Sequence, residues 1–161
     1  MGNSPVRRAS HERDFDQLAC EFFKLFARFE CALKKMGYYL GGNRDVKVDW
    51  DRFAREVGSS VLQNGDPKIK EAVDYLFNNP PKRQVDRGGR LVWEEARSRE
   101  RSARVLFRYI RTVRNNLFHG EKLGCGQDVT ARDKRLVECS LTVLNQIRKA
   151  HKELAKYLPD T

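Results

Sequence analysis

Long apolar runs are missing from this 161-residue chain: no stretch of about 18 apolar residues occurs, so no helical membrane span is predicted. Nor does the N-terminus carry the apolar core of a secretory signal, and a soluble, cytoplasmic protein without a membrane partner is expected. Met1-Gly2 opens like a myristoylation signal, but Val6 stands where that signal requires Ser or Thr. Cysteine is scarce and unpaired in pattern. Cys20, Cys31, Cys125 and Cys139 form no CxxC spacing and have no histidine cluster beside them, which excludes the common zinc-site signatures; reduced thiols and no metal or cofactor are expected. Sustained strand-type alternation and internal repeats are lacking too. Histidine, the side chain best suited to proton transfer near neutral pH, occurs only at positions 11, 119 and 151.

Charge and helical periodicity are abundant. The 32 Lys and Arg outnumber 22 Asp and Glu for a net charge of +10, a balance that favours polyanionic partners. Residues 1–10 are small, polar and basic and read as a flexible leader; residues 11–161 fit a single domain. Over residues 13–36, Phe15, Leu18, Phe22, Leu25, Phe26, Phe29, Leu33 and Met36 recur at three and four, predicting a long helix with one buried face that ends at Gly37. Residues 37–48 are glycine-rich and read as a loop with a short extended piece at 46–48. Asp49 caps a short helix predicted to stop at Gly58, and Asp66-Pro67 starts another that buries Ile69, Val73, Leu76 and Phe77 before Pro80-Pro81. Residues 82–90, with Arg83, Arg87 and Arg90, read as a basic loop, either solvated or draped over a phosphate backbone.

A third long helix is predicted to begin between residues 92 and 98, burying Ala103, Leu106, Phe107, Ile110, Val113 and Leu117. Its opposite face is arginine: Arg97, Arg101, Arg104, Arg108 and Arg111 follow at four, three, four and three. Such a row is either a solvated face or a nucleic-acid contact. After a turn at Gly124-Cys125-Gly126, Thr130 and Asp133 form a capping-box pattern ahead of a last long helix with Val137, Leu141, Leu144, Ile147, His151, Leu154 and Leu158 in its stripe. Its histidine reads as a hydrogen-bonded core residue. The expected fold is all-α, an up-and-down bundle of three long helices with shorter helices between the first and third.

The densest chemistry lies in the run Arg114, Asn115, Asn116, Leu117, Phe118, His119, Gly120. Arg114 falls about 50° from the centre of the apolar stripe, so its guanidinium points toward packed surface and needs a partner. Gly120 is a natural C-terminal cap that sets His119 at the helix end. RNA carries its own nucleophile, the 2′-OH. Its cleavage needs a base, a cation for the charged phosphorane and an acid for the departing 5′-oxygen, roles that histidine and arginine fill without a metal. The bland alternative is that His119 caps the helix dipole and Arg114 pairs with an internal carboxylate.

Arg114, Asn115 and His119 resemble the Arg-x4-6-His motif of the HEPN superfamily, in which Asn, Asp or His often follows the arginine. That resemblance implies a small helical bundle acting as a homodimeric, metal-independent endoribonuclease, in defence, toxin or RNA-processing roles, or a relative that has lost cleavage and binds RNA or a protein. A toxin-type member would have an antitoxin or regulatory protein as partner. Some toxin members carry a modifiable tyrosine two positions after the histidine; this chain has Glu121 there. Geometry supplies a separate argument for two copies. Residues five apart on a helix lie about 140° around the axis and about 7.5 Å along it, so Arg114 and His119 diverge within one chain. A twofold dimer would gather two of each.

Overall fold

The computed structural model describes residues 14–95, 98–119 and 128–158. The leader at 1–10, His11, Arg97, Gly120, Glu121 and the turn at 124–126 lie outside the described residues. The fold is mostly helical, but two small antiparallel sheets interrupt it, a correction to the all-α expectation.

Helix α1 (Phe15–Lys35) buries Leu18, Phe22, Leu25, Phe26, Phe29 and Leu33, the stripe read from its periodicity. Gly37 follows with φ 86°, where a side chain would be strained, and ends it. The next residues pair as β1 (Tyr39–Leu40) and β2 (Lys47–Val48), so the extended piece has a partner that two-residue strands are too short to announce. Asp49 accepts from the Arg52 N–H at 3.0 Å and caps α2 (Trp50–Phe53). The chain then passes through a π-helical turn (Ala54–Gly58) into α3 (Ser59–Leu62). Gly58 therefore does not stop this helix. It permits close packing: a Cβ built there would fall 2.7 Å from Phe107 Cε2 and 2.9 Å from Ala103 Cβ. Asp66 caps α4 (Pro67–Asn78) through the Lys68 N–H at 2.8 Å, with proline in the first turn as expected.

The basic segment after Pro81 is a β-hairpin rather than a loop. Strands β3 (Lys82–Asp86) and β4 (Leu91–Glu95) pair in register from Lys82 opposite Glu95 to Asp86 opposite Leu91. Arg87 and Arg90 exchange backbone hydrogen bonds at 2.9 and 3.4 Å around Gly88 and Gly89, whose φ values of 63° and 82° suit the two-residue turn that matches strand twist. The third long helix, α5 (Ala103–Phe118), consequently starts later than its apolar periodicity suggested. Ser102 caps it, accepting from the Val105 N–H.

Helix α6 (Ala131–Ala150) opens on the predicted capping box of Thr130 and Asp133 and packs against α1 and α4. The last stripe is not one helix. The chain turns extended at His151, whose Nδ1 accepts from the Leu154 N–H at 3.2 Å and caps α7 (Lys152–Tyr157); His151 is a half-buried cap, not a core residue.

Between α1, the α2–α3 segment and α5 lies an aromatic cluster. Trp50 stands 5.3 Å from Phe26 and 5.6 Å from Phe107, and Phe53 stands 5.5 Å from Phe107, between ring centroids. On α6, burial pushes the Cys139 thiol up from 9.0 to about 11. Raised above its unfolded value, this group leaves stability intact below about pH 9 and withdraws it as pH climbs toward 11. Cys139 should resist alkylation at pH 8 in the native protein while exposed Cys20 and Cys31 react, and label only when urea unfolds the chain. Peptide mapping by mass spectrometry reads this directly; native labelling of Cys139 matching that of Cys20 would contradict the packing.

Candidate functional site

The end of α5 carries the motif, and its neighbours are set by helical spacing. Asn115 and His119 stand four apart on one face and line the same cleft, of about 450 Å³, with Thr112, Asn116, Arg83, Gln84 and Trp93. Arg114 is turned away from it. Its guanidinium lies 4.9 Å from the centre of the Phe26 ring and its Nη2 donates to Glu30 Oε1 at 3.4 Å, so the packed-surface expectation for Arg114 holds and its partner is a carboxylate of α1. Arg114 Nε is buried and has no hydrogen-bond partner among the described residues. About 29% of the Arg114 side chain remains exposed, so a second ligand can still approach its outer edge. Within one chain the structure brings Asn115 and His119 together and keeps Arg114 apart, the divergence that helical geometry requires.

His119 is exposed at the C-terminal cap of α5, its backbone N–H bonded to the Asn115 carbonyl at 2.9 Å. Its ring meets that of Phe118 edge-on at 6.0 Å, and Phe118, itself 69% exposed, packs edge-on against Phe23 of α1 at 6.3 Å. A large aromatic side chain standing in solvent beside a titratable one is an apolar contact surface bordering the site.

The hairpin forms the opposite wall. Asn116 Nδ2 donates to the Lys82 carbonyl at 2.6 Å, tying β3 to the last turn of α5, and the Ser98 N–H donates to the hydroxyl of buried Tyr109 at 2.9 Å. At the hairpin's far end Arg87 grips Glu94 with two hydrogen bonds, 2.6 and 2.8 Å, which hold that carboxyl below the usual carboxylate range. Trp93 stands opposite Gln84 in the register, so both side chains share a face of the ribbon. In the sequence Arg83 stands out only as one charge of a basic segment and Asn116 only as a member of the motif run, while nothing marks Gln84 or Trp93 as lining a site. Two five-residue runs around Gly88-Gly89 were the available hairpin signal.

The arginine row is shorter than its spacing implied. Arg101 precedes the helix, pairs with Asp74 and lies 4.7 Å from the centre of the Phe77 ring, so it is a structural contact with α4. Arg104 pairs with Glu100 at 3.2 Å; a hydrogen bond from the Ser102 side chain, and after it the one from Arg104, hold the Glu100 carboxyl below the usual carboxylate range. Arg108 and Arg111 are exposed and make no ion pair among the described residues. Arg104, Arg108, Arg111, Asn115 and His119 fall within about 80° of one another around the axis, so the basic stripe runs directly into the cleft.

Replacing Arg114 separates its packing from its charge. Arg114→Ala should lower unfolding free energy by about 1–2 kcal/mol, since it removes an ion pair whose two side chains are less than a third exposed, and the stack on Phe26. Arg114→Met, which keeps the packing, should cost less; an equal loss in urea denaturation would assign the contribution to charge alone. Among the described residues no helix is long and apolar enough to cross a membrane, and no group of His, Cys, Asp or Glu is placed to hold a metal ion. No protein-family model, no curated protein and no solved structure matches this chain.

Proposed function

We propose that this protein is a HEPN-type endoribonuclease that cleaves RNA by 2′-OH attack without a metal, with its site completed by a second copy of the chain. The observation that carries this reading is the exposed His119 imidazole beside Asn115 in a cleft walled by Arg83 and Trp93 and fed by the basic stripe of α5. In the reaction a base removes the 2′-OH proton, O2′ attacks phosphorus, the P–O5′ bond breaks and an acid protonates O5′. The products are a 2′,3′-cyclic phosphate and a 5′-hydroxyl. One histidine can serve as base or acid, and the second proton carrier comes from the other copy. Two facing helix ends also bring the outer edge of each Arg114 toward the phosphate held at its partner's His119. Asn115 orients the phosphate. The exposed Phe118 beside the site supports an apolar contact between copies. A toxin or defence effector restrained by an antitoxin is one setting for such an activity.

The contact of Arg114 with Glu30 and Phe26 favours a second reading, a helical module that binds nucleic acid or a protein through Arg104, Arg108 and Arg111 without cleaving. Incubating single-stranded RNA with the folded protein in excess EDTA decides between them. Cleavage lost in His119→Ala supports the first reading. Steeply salt-dependent binding by wild type and His119→Ala alike, with no cleavage by either, supports the second.

A further inference from the structure

Trp93 and Asn116 line two clefts at once. On one side is the His119 cleft with Arg83, Gln84 and Asn115; on the other is a cleft of about 370 Å³ with Lys82, Thr130, Arg132, Asp133 and Leu136. The indole is thus a partly exposed aromatic surface between two basic ends, Arg83 toward His119 and Lys82 with Arg132 toward the start of α6. Asp133 is the one carboxylate lining the second cleft among the described residues, and its Oδ2 accepts from both the Thr130 N–H at 3.0 Å and the Thr130 hydroxyl at 2.8 Å. Arg132 is anchored by donation from Nη2 to the Pro80 carbonyl at 2.7 Å, while its Nε has no hydrogen-bond partner among the described residues.

We propose that the groove on both sides of Trp93 is a subsite for single-stranded RNA, in which the indole stacks on one base while Arg83 and the Lys82–Arg132 pair hold the flanking phosphates. This deepens the reading above and rests on it for the identity of the polymer. Stacking needs a base with a free face, which a single strand offers and a duplex withholds. The amide of Asn115 and the Oδ1 acceptor of Asn116, whose Nδ2 is committed to Lys82, border the stacked base and can meet its edge. The hairpin thereby sets which nucleotide lies beside the phosphate presented to His119.

The test uses the full-length protein and uniformly 2′-O-methylated oligonucleotides of about eight nucleotides, which keep bases and phosphates but lack the attacking hydroxyl. Trp93 and Trp50 are the two tryptophans, and Trp50 is 3% exposed, so quenching of emission on binding reports Trp93. The base-bearing single strand should quench emission and bind about tenfold more tightly than an abasic oligomer of equal charge. Trp93→Ala should lose about that factor and Trp93→Phe should recover most of it. Lys82→Glu should weaken both oligomers. Equal binding of base-bearing and abasic strands would overturn the proposal, as would a preference for duplex RNA, or a Trp93→Ala protein that keeps its thermal midpoint and binds like wild type. If Trp93→Ala does not fold, the abasic comparison and Trp93→Phe still decide. Cleavage in EDTA without base-dependent binding would remove the groove and leave the nuclease reading intact; base-dependent binding without cleavage would do the reverse.

Discussion

His119→Ala should lower the rate of RNA cleavage in excess EDTA by about 100- to 10,000-fold, the range expected when a positioned proton carrier is removed. The imidazole is exposed, and among the described residues its ring meets that of Phe118 at a helix end, so the thermal midpoint should move little. That combination distinguishes chemistry from folding. A drop in rate accompanied by a large drop in midpoint would mean that His119 caps α5 and nothing more. Because each chain supplies one histidine to its cleft, the specific rate should also fall on dilution through the dimer dissociation range. A rate strictly proportional to protein concentration, measured alongside sedimentation showing a monomer, would remove the composite site. Glu30→Gln provides the complementary control on α1. It releases Arg114 from its carboxylate without touching His119, so cleavage should persist if Arg114 acts by its charge toward a neighbouring copy.

The parts of this fold legible in the sequence are those governed by local rules. Periodicity located α1, α4, α5 and α6 because one apolar face must be buried whatever the neighbours are, and the caps at Asp49, Asp66 and Thr130 were readable because a carboxylate or hydroxyl there has a defined orphan N–H to accept from. The hairpin is not legible from periodicity, although Gly88-Gly89 marks its turn. Lys82, Arg83 and Gln84 carry polar side chains on both faces of β3, so the alternation that identifies a strand is absent, and charge dominated the reading. The break at His151 was hidden for the opposite reason: Leu154 and Leu158 continue the apolar series, and only the turn of the backbone shows that the helix restarts there. At the site, the inward turn of Arg114 and its divergence from His119 follow from 100° per residue. Glu30 as the partner of Arg114 did not follow, since 84 residues separate them and many carboxylates were available.

The largest effect on stability is expected at the contact that carries α5. Phe107 is 1% exposed and touches both Trp50 and Phe53, so Phe107→Ala should lower unfolding free energy by about 3–5 kcal/mol, a large share of the roughly 5–15 kcal/mol typical of a single domain. Gly58 meets the same ring from the π-helical turn. In wild type, Gly58→Ala adds a methyl where only 2.7 Å separates it from Phe107 Cε2, and this overpacking should cost about 1–3 kcal/mol despite the better helix propensity of alanine. Removing the ring opens that space, so in the Phe107→Ala background the Gly58→Ala penalty should shrink; Ala103 Cβ, 2.9 Å away, keeps it from vanishing. Urea unfolding of the four proteins in a double-mutant cycle measures the coupling. Strictly additive losses would show that Gly58 and Phe107 do not share a contact. Coupling of the expected sign would fix α5 against the α2–α3 segment, and with it the height at which Asn115 and His119 meet the hairpin.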